Sequence, residues 1–185
     1  MIERTAEGLY CRAADAWVDP WRPVPRALIT HAHADHARPG CGEYWAVATS
    51  EGVLRQRLGQ EITLHPVSYG ETVWLNQCRV SFHSAGHVLG SAQIRLEAEG
   101  EIWVVSGDYK RDDDPSCTPF EPVACDVLIT EATFGMPIYR WQSGAEVARQ
   151  IRDWWQGDQS RPSLLFCYAF GKAQRLLAEL RAIGV

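Results

Sequence analysis

The stretch "ITHAHADHARPG", Ile29–Gly40, places His31, His33, Asp35 and His36 close together, with Ala32 and Ala34 as small spacers. Imidazole suits transition-metal dications, and carboxylate can share them. Side chains alternate along a strand, so His31, His33 and Asp35 are expected on one face. A turn beyond the strand end would bring His36 round to join them. Four donors this close do not easily serve one tetrahedral ion. They suit two ions about 3.5–4 Å apart, the spacing of two-metal hydrolytic sites. A histidine-rich surface loop that binds metal adventitiously is the alternative. Two later patterns weigh against it. In "SAGHVLGSAQI" (Ser84–Ile94), His87 sits between Gly86 and a Val-Leu-Gly turn. In "VVSGDYKR" (Val104–Arg111), Asp108 follows an apolar run, where a strand-end carboxylate can bridge two cations.

The surrounding chain reads as short strands followed by helices. "RALIT" (Arg26–Thr30) and "YWAVA" (Tyr44–Ala48) are apolar runs either side of the histidines. "SEGVLRQRLG" (Ser50–Gly59) predicts a short helix with Ser50 as N-cap and Gly59 just past its end. "TVWL", the turn "NQ" and "CRVSFH" predict one hairpin (Thr72–His83). "SAQIRLE" and "EIWVVS" predict another, turning at "AEGE". "DVLIT" (Asp126–Thr130) has the pattern of a buried strand. Later, "SGAEVARQIRDWWQG" (Ser143–Gly157) predicts a helix with a capping box from Ser143 and Glu146. "SLLFCY" (Ser163–Tyr168) reads as a buried strand, and "GKAQRLLAELRAIGV" (Gly171–Val185) as an amphipathic helix. This order predicts an α/β fold with domains at 1–140 and 141–185.

Composition sets broad limits. The chain has 185 residues, 46% hydrophobic and 22% charged, which suits one sizeable domain, or one and part of another. A net charge of −5 argues against nonspecific coating of nucleic acid, which needs many Lys and Arg. It does not argue against a metal enzyme, because bound cations offset acidic ligands. No apolar run is long enough to span a bilayer, and no secretory leader is visible, so a cytoplasmic location without membrane partners is expected. None of the six cysteines forms a C-x-x-C pair, so thiolate zinc knuckles are not expected.

The set "THAHADH", "AGHVLGSA" and "SGDYK" resembles the metallo-β-lactamase fold, in its nucleic-acid-processing β-CASP branch. "PFEPVACDVLITEATFGMPIYRW" and "LLFCYAFGKAQRLLAEL" are similar to bacterial DNA ligase-associated exonucleases of that branch. The resemblance implies an αββα sandwich, incomplete here, followed by the start of a β-CASP insert. It implies zinc, two ions in the complete site, with manganese as an alternative. His31, His33 and His87 would hold one ion, Asp35 and His36 the second, and Asp108 both. Asp19, in "AWVDP", would support the histidine loop, and Glu131, in "TEATFG", would be the acid that opens the insert. Asp35 and Glu131 are the expected catalytic carboxylates. The implied activity is hydrolysis of nucleic-acid phosphodiesters, DNA from an end before RNA. A DNA ligase or helicase is the implied partner. An RNA-processing nuclease, a thioester or lactone hydrolase, and a noncatalytic interaction module remain alternatives.

Several residues invite weaker readings. His83 precedes His87 by four but lies in a strand-and-loop pattern, so a supporting role is expected. His65, before Pro66, reads as a surface turn residue. Lys172 and Arg175, at the start of the last helix, could contact a backbone phosphate. "GKAQRLL" lacks the earlier Gly and following Ser/Thr of a P-loop. No His follows His87, whereas the resembled family supplies further histidines late in the chain. The expectation is a fragment of reduced activity, or a chain completed by a missing C-terminal half or by a second copy.

Overall fold

The computed structural model describes residues 1–185, which fall into two units. One comprises Met1–Asp113 with Cys117–Glu131, the other Asp114–Ser116 with Ala132–Val185. The changeover at Glu131 lies upstream of the expected 140/141 boundary.

The first unit holds two sheets. In one, β1 (Ile2–Thr5), β2 (Gly8–Cys11), β3 (Ala16–Val18), β4 (Arg26–Leu28), β5 (Glu43–Val47) and β6 (Leu64–Val67) lie side by side in chain order. The first three are antiparallel, and β3 to β6 run parallel. In the other, the order is β11 (Val127–Ile129), β10 (Glu101–Val105), β9 (Ala92–Ala98), β8 (Cys78–Ser84), β7 (Thr72–Leu75). All its pairs are antiparallel except β10 with β11.

Alternation explains how the sheets meet. Val80 and Phe82 of β8, Ile94 and Leu96 of β9, and Val105 of β10 face one apolar core. Val18, Leu28, Val47 and Val67 join it from the first sheet. Phe82, Ile94 and Leu96 are wholly buried, each contributing roughly 1.5–3 kcal/mol. On the outer face Arg79 and Arg95 pair with Glu97 at 3.0 and 2.6 Å. Both expected hairpins form. Glu99 and Gly100 take φ of 55° and 81° in the second, the positive values a tight two-residue turn needs.

Four local expectations are corrected. Ser50 precedes helix α1 (Glu51–Leu58) but does not cap it. A 3-10 turn at Ala48–Ser50 lets its hydroxyl donate to Val47 O instead. His65 is not in a turn but in β6, stacked on Trp45 and bonded to Glu43 at 2.9 Å. β11 is half exposed rather than buried, because only β10 lies beside it. "SLLFCY" forms no strand, and Phe166 is 94% exposed. The second unit contains helices α2 (Gly144–Gly157) and α3 (Lys172–Ala182) and no strand for that run to pair with. The capping box of α2 is present as read from the sequence. No helix is long and apolar enough to cross a membrane.

Strand direction positions the site. β3 and β4 are parallel, so Asp19 and the histidine loop leave the same end of the first sheet. β8, β10 and β11 end together in the second, delivering His87, Asp108 and Glu131. The backbone bond from Ala92 N to Thr30 O, 2.7 Å, ties the two ends.

Candidate metal centre

The histidine loop is not an extension of β4. The strand stops at Leu28, and a turn at His33–His36 closes with Ala37 N donating to His33 O at 2.8 Å. The expected alternation is therefore replaced by a turn. His31 and His33 point into one cluster, His36 swings to its far side, and Asp35 faces outward, its side chain 76% exposed.

One ligand-capable atom each from His31, His33, His87 and Asp108 lies within 4.8 Å of the others. His31 Nε2 is 2.9 Å from His33 Nδ1, and His87 Nε2 is 3.4 Å from that same nitrogen. Asp108 Oδ2 lies 3.8 Å from His31 Nε2 and 3.6 Å from His87 Nε2. Its other oxygen, Oδ1, is 3.4 Å from His36 Nε2. Asp35 Oδ2 is 3.8 Å from His36 Nε2. The carboxylate of Asp108 therefore stands between a three-histidine group and the His36–Asp35 pair.

Asp19 fixes the histidines. Its Oδ1 accepts from Thr30 N at 2.8 Å, and its Oδ2 accepts from Thr30 Oγ1 at 2.5 Å and from His36 Nδ1 at 2.7 Å. With its hydrogen directed to Asp19, the Thr30 hydroxyl must accept from His31 Nδ1, 3.1 Å away. His31 is thereby assigned the tautomer with hydrogen on Nδ1, and His36 also carries a hydrogen on Nδ1. The Nε2 lone pair of His31 then points toward Asp108, and Nε2 of His36 faces the other oxygen of that carboxylate. Thr30 has no role in the sequence reading, although it stands directly before His31. Ser91, within "AGHVLGSA", likewise has none. Its hydroxyl accepts from His87 N and Val88 N at 3.0 and 3.2 Å and holds that loop.

Two glycines permit the close approach. Gly107 has φ 54°, and a Cβ there would lie 2.6 Å from Thr30 Cβ. Gly86 has φ 68°, and a Cβ would sit 2.3 Å from Lys110 O. Either added carbon would force apart the segments that carry the donors.

Electrostatics suit cation binding. Burial, with the nearby His36 and His87, pushes His31 well below the usual imidazole value. Burial also lowers His87, against the opposing pull of Asp108. Both are neutral at pH 7 and keep a lone pair free. The His36 hydrogen bond, ahead of opposing burial, brings Asp108 down to about 2. Burial alone would lower His36, but bonds to Asp108 and Asp19 raise it to about 10. That proton stands where a cation would otherwise balance two carboxylates. The converging lone pairs and this excess of negative charge fit a divalent metal.

Beside the cluster lies a cavity of about 450 Å³. Asp19, Asp35, His36 and Glu131 line its polar side, Trp21 and Arg38 flank it, and Val18, Val105 and Ile129 form an apolar wall. Glu131 is close enough to His87 to influence its charge. His83 is not brought into the cluster. Its ring is bonded to Ser81 at 3.0 Å and Glu121 at 2.9 Å. Lys172 and Arg175 belong to the second unit. Lys172 lies over the Tyr168 ring, and Arg175 pairs with Asp114 at 3.6 Å.

No family model matches the chain. Curated relatives do. The chain is 33% identical to a probable DNA ligase of Opitutus terrae over 180 residues, 95% of this chain and 18% of the ligase. It is 33% identical to a ribonuclease of Thermus thermophilus over 144 residues, 63% of this chain and 33% of that enzyme. It is 31% identical to subunit 3 of the cleavage and polyadenylation specificity factor of Dictyostelium discoideum, over 63% of this chain and 15% of that protein. The chain thus spans between about a seventh and a third of these relatives' lengths.

Proposed function

The chain belongs to the β-CASP branch of the metallo-β-lactamase family, and from that premise we propose that it carries the metal centre of a nucleic-acid phosphodiesterase. The observation behind this reading is the convergence of His31, His33, His87 and Asp108, with His36 and Asp35 beyond Asp108. Its two sheets over one core, with α1, correspond in this reading to part of an αββα sandwich. Residues 141–185 correspond to the start of the β-CASP insert.

His31, His33 and His87 would hold one ion, Asp35 and His36 a second, and Asp108 would face both. Zinc suits this nitrogen-rich donor set, with manganese the alternative. The chemistry supplied by bound divalent ions is activation of water at neutral pH and withdrawal of charge from a phosphodiester oxygen. The protein residues orient and exchange protons around that chemistry. Asp19 holds His36 directly and His31 through Thr30, so both rings keep Nε2 turned toward Asp108. Asp35 is exposed to an incoming water and is positioned to accept its proton. Glu131, at the cavity edge, is the second carboxylate for proton exchange with the departing oxygen.

DNA is the favoured substrate, because the relative matched along almost the whole chain is a probable DNA ligase. A DNA ligase is the favoured functional partner on the same ground, with a helicase as a further candidate. The matched ribonuclease of Thermus thermophilus supplies the RNA alternative. The test uses end-labelled single-stranded DNA, single-stranded RNA and a small thioester, each with zinc, manganese or chelator. DNA shortened from an end, only with metal, is expected. Cleavage limited to RNA or to the thioester would replace the DNA reading. Hydrolysis that survives chelator would overturn the metal-centre reading.

A further inference from the structure

The cavity beside the metal cluster has an apolar side that metal binding does not use. Val18 and Val105 are buried behind it, and Leu9 and Ile129 half-buried. Trp21 also lines it and remains 45% exposed. The indole is held in place. Trp21 N donates to Glu7 O at 2.7 Å, and the Arg4 guanidinium lies over the ring, 5.3 Å from its centroid. Only buried Pro20, with its fixed φ, separates Trp21 from Asp19. Asp19 is in turn bonded to Thr30 and His36. The position of the indole is therefore tied to that of the metal cluster.

We propose that this cavity is a nucleobase subsite, taking one unpaired base of a nucleic-acid strand, stacked on Trp21 and covering the apolar wall. The proposal rests on the phosphodiesterase reading, which puts the phosphate next to that base against the metal ions, past Asp35 and His36. Three properties select a base. The volume, about 450 Å³, lies in the range of sites that take small molecules. An indole beside apolar side chains matches the π-face of a base, and such stacking tolerates any sequence. Charge decides against phosphate in the cavity itself, because Asp19, Asp35 and Glu131 outweigh Arg38 along its polar side. The phosphate therefore belongs at the ions, and a neutral ring carrying N–H donors belongs in the cavity. An acyl chain would suit the wall but would offer those carboxylates no donor. A base inside a duplex is already paired and stacked, so a single strand or a frayed end must supply it.

The test measures binding to the 185-residue chain by fluorescence anisotropy in chelator, so that nothing is cut. The probes are a short labelled oligodeoxythymidine, a strand of the same length built wholly from abasic residues, and the oligodeoxythymidine paired with its complement. The unsubstituted chain should bind the intact strand about 5–150-fold more tightly than the abasic one. The duplex should bind no better than the abasic strand. Trp21→Ala should remove that preference and leave abasic-strand binding unchanged, whereas Trp21→Phe, which keeps a ring, should retain it. Equal binding of intact and abasic strands, no measurable binding of the intact strand, or an equal loss on both strands in Trp21→Ala would overturn the subsite. The comparison of strands is made on the unsubstituted chain, so the outcome does not depend on the variants folding. Metal-dependent cleavage is scored separately. Base-dependent binding without cleavage would keep the subsite and overturn the phosphodiesterase reading, and cleavage without base preference would do the reverse. Thioester hydrolysis that falls in Trp21→Ala while strand binding does not would assign the cavity to an acyl group and overturn the proposal.

Discussion

Asp19 binds no cation in the proposed site, yet replacing it should disable that site, and two substitutions separate the reasons. Asp19→Ala removes three hydrogen bonds, of 2.8, 2.5 and 2.7 Å, accepted from Thr30 N, Thr30 Oγ1 and His36 Nδ1. Bonds to a charged acceptor contribute about 1.5–3 kcal/mol each when buried, though not additively. Asp19 also sits at φ 43°, which Asp tolerates better than Ala. A loss of about 3–5 kcal/mol in the stability of the metal-free chain is expected. Asp19→Asn is nearly isosteric and should cost about 1–2 kcal/mol. Its chemical effect is larger. The amide oxygen must still accept from Thr30 N, so the amide NH₂ occupies the position now taken by Oδ2. The His36 and Thr30 donors then meet another donor. To pair with it, His36 must accept at Nδ1 and carry its hydrogen on Nε2. The Thr30 hydroxyl must reverse and donate to His31 Nδ1. His31 then loses its Nε2 lone pair toward Asp108, and His36 can no longer release its Nε2 hydrogen to a metal without losing its bond to residue 19. Metal affinity should therefore fall about 10–100-fold or more in Asp19→Asn, despite its modest stability loss. Isothermal titration with zinc and urea denaturation of the chelator-treated chain give the two quantities. An Asp19→Asn variant with unchanged affinity would refute the tautomer reasoning.

Two further outcomes follow from the same geometry. Gly107→Ala places a carbon 2.6 Å from Thr30 Cβ at φ 54°, and should cost about 2–4 kcal/mol with a parallel loss of metal affinity; an unchanged thermal midpoint would count against the close packing described. In the metal-free chain, His36 is raised to about 10 from an unfolded value near 6.5, so its contribution is complete below about pH 6.5 and is lost as pH rises toward 10. The stability gap between the chain and His36→Gln should shrink over that window. A gap that widens with pH in urea denaturation would contradict the pairing with Asp19 and Asp108.

The donors were legible because metal ligation limits residue types so strongly. Few side chains other than His31, His33, His87 and Asp108 could serve, and each stands beside a glycine or alanine that makes room. The hairpins were legible because alternation and the "NQ" and "AEGE" turns agree. The support for the donors was not. Thr30 reads as an ordinary strand-end residue until the turn at His33–His36 brings His36 against Asp19. Strand alternation misplaced Asp35, since an intervening turn cancels the period. His83 shows the converse, because its spacing to His87 suggests proximity while β8 bonds its ring to Ser81 and Glu121. "SLLFCY" was misread because an apolar run specifies burial but not a neighbouring strand, and the second unit offers none. β1 to β3 carry too few alternating apolar residues to be seen one by one. They form because pairing with each other and then with β4 is cooperative.

The decisive measurement is metal content after dialysis against zinc, by elemental analysis of the chain and of His33→Ala. His33 Nδ1 lies 2.9 Å from His31 Nε2 and 3.4 Å from His87 Nε2, so its loss opens the cluster between those two rings. The geometry predicts at least one zinc retained per chain and a loss of that ion in His33→Ala, with the fold intact by circular dichroism. Equal retention in both proteins, or none in the unsubstituted chain, would contradict a metal centre built from His31, His33, His87 and Asp108.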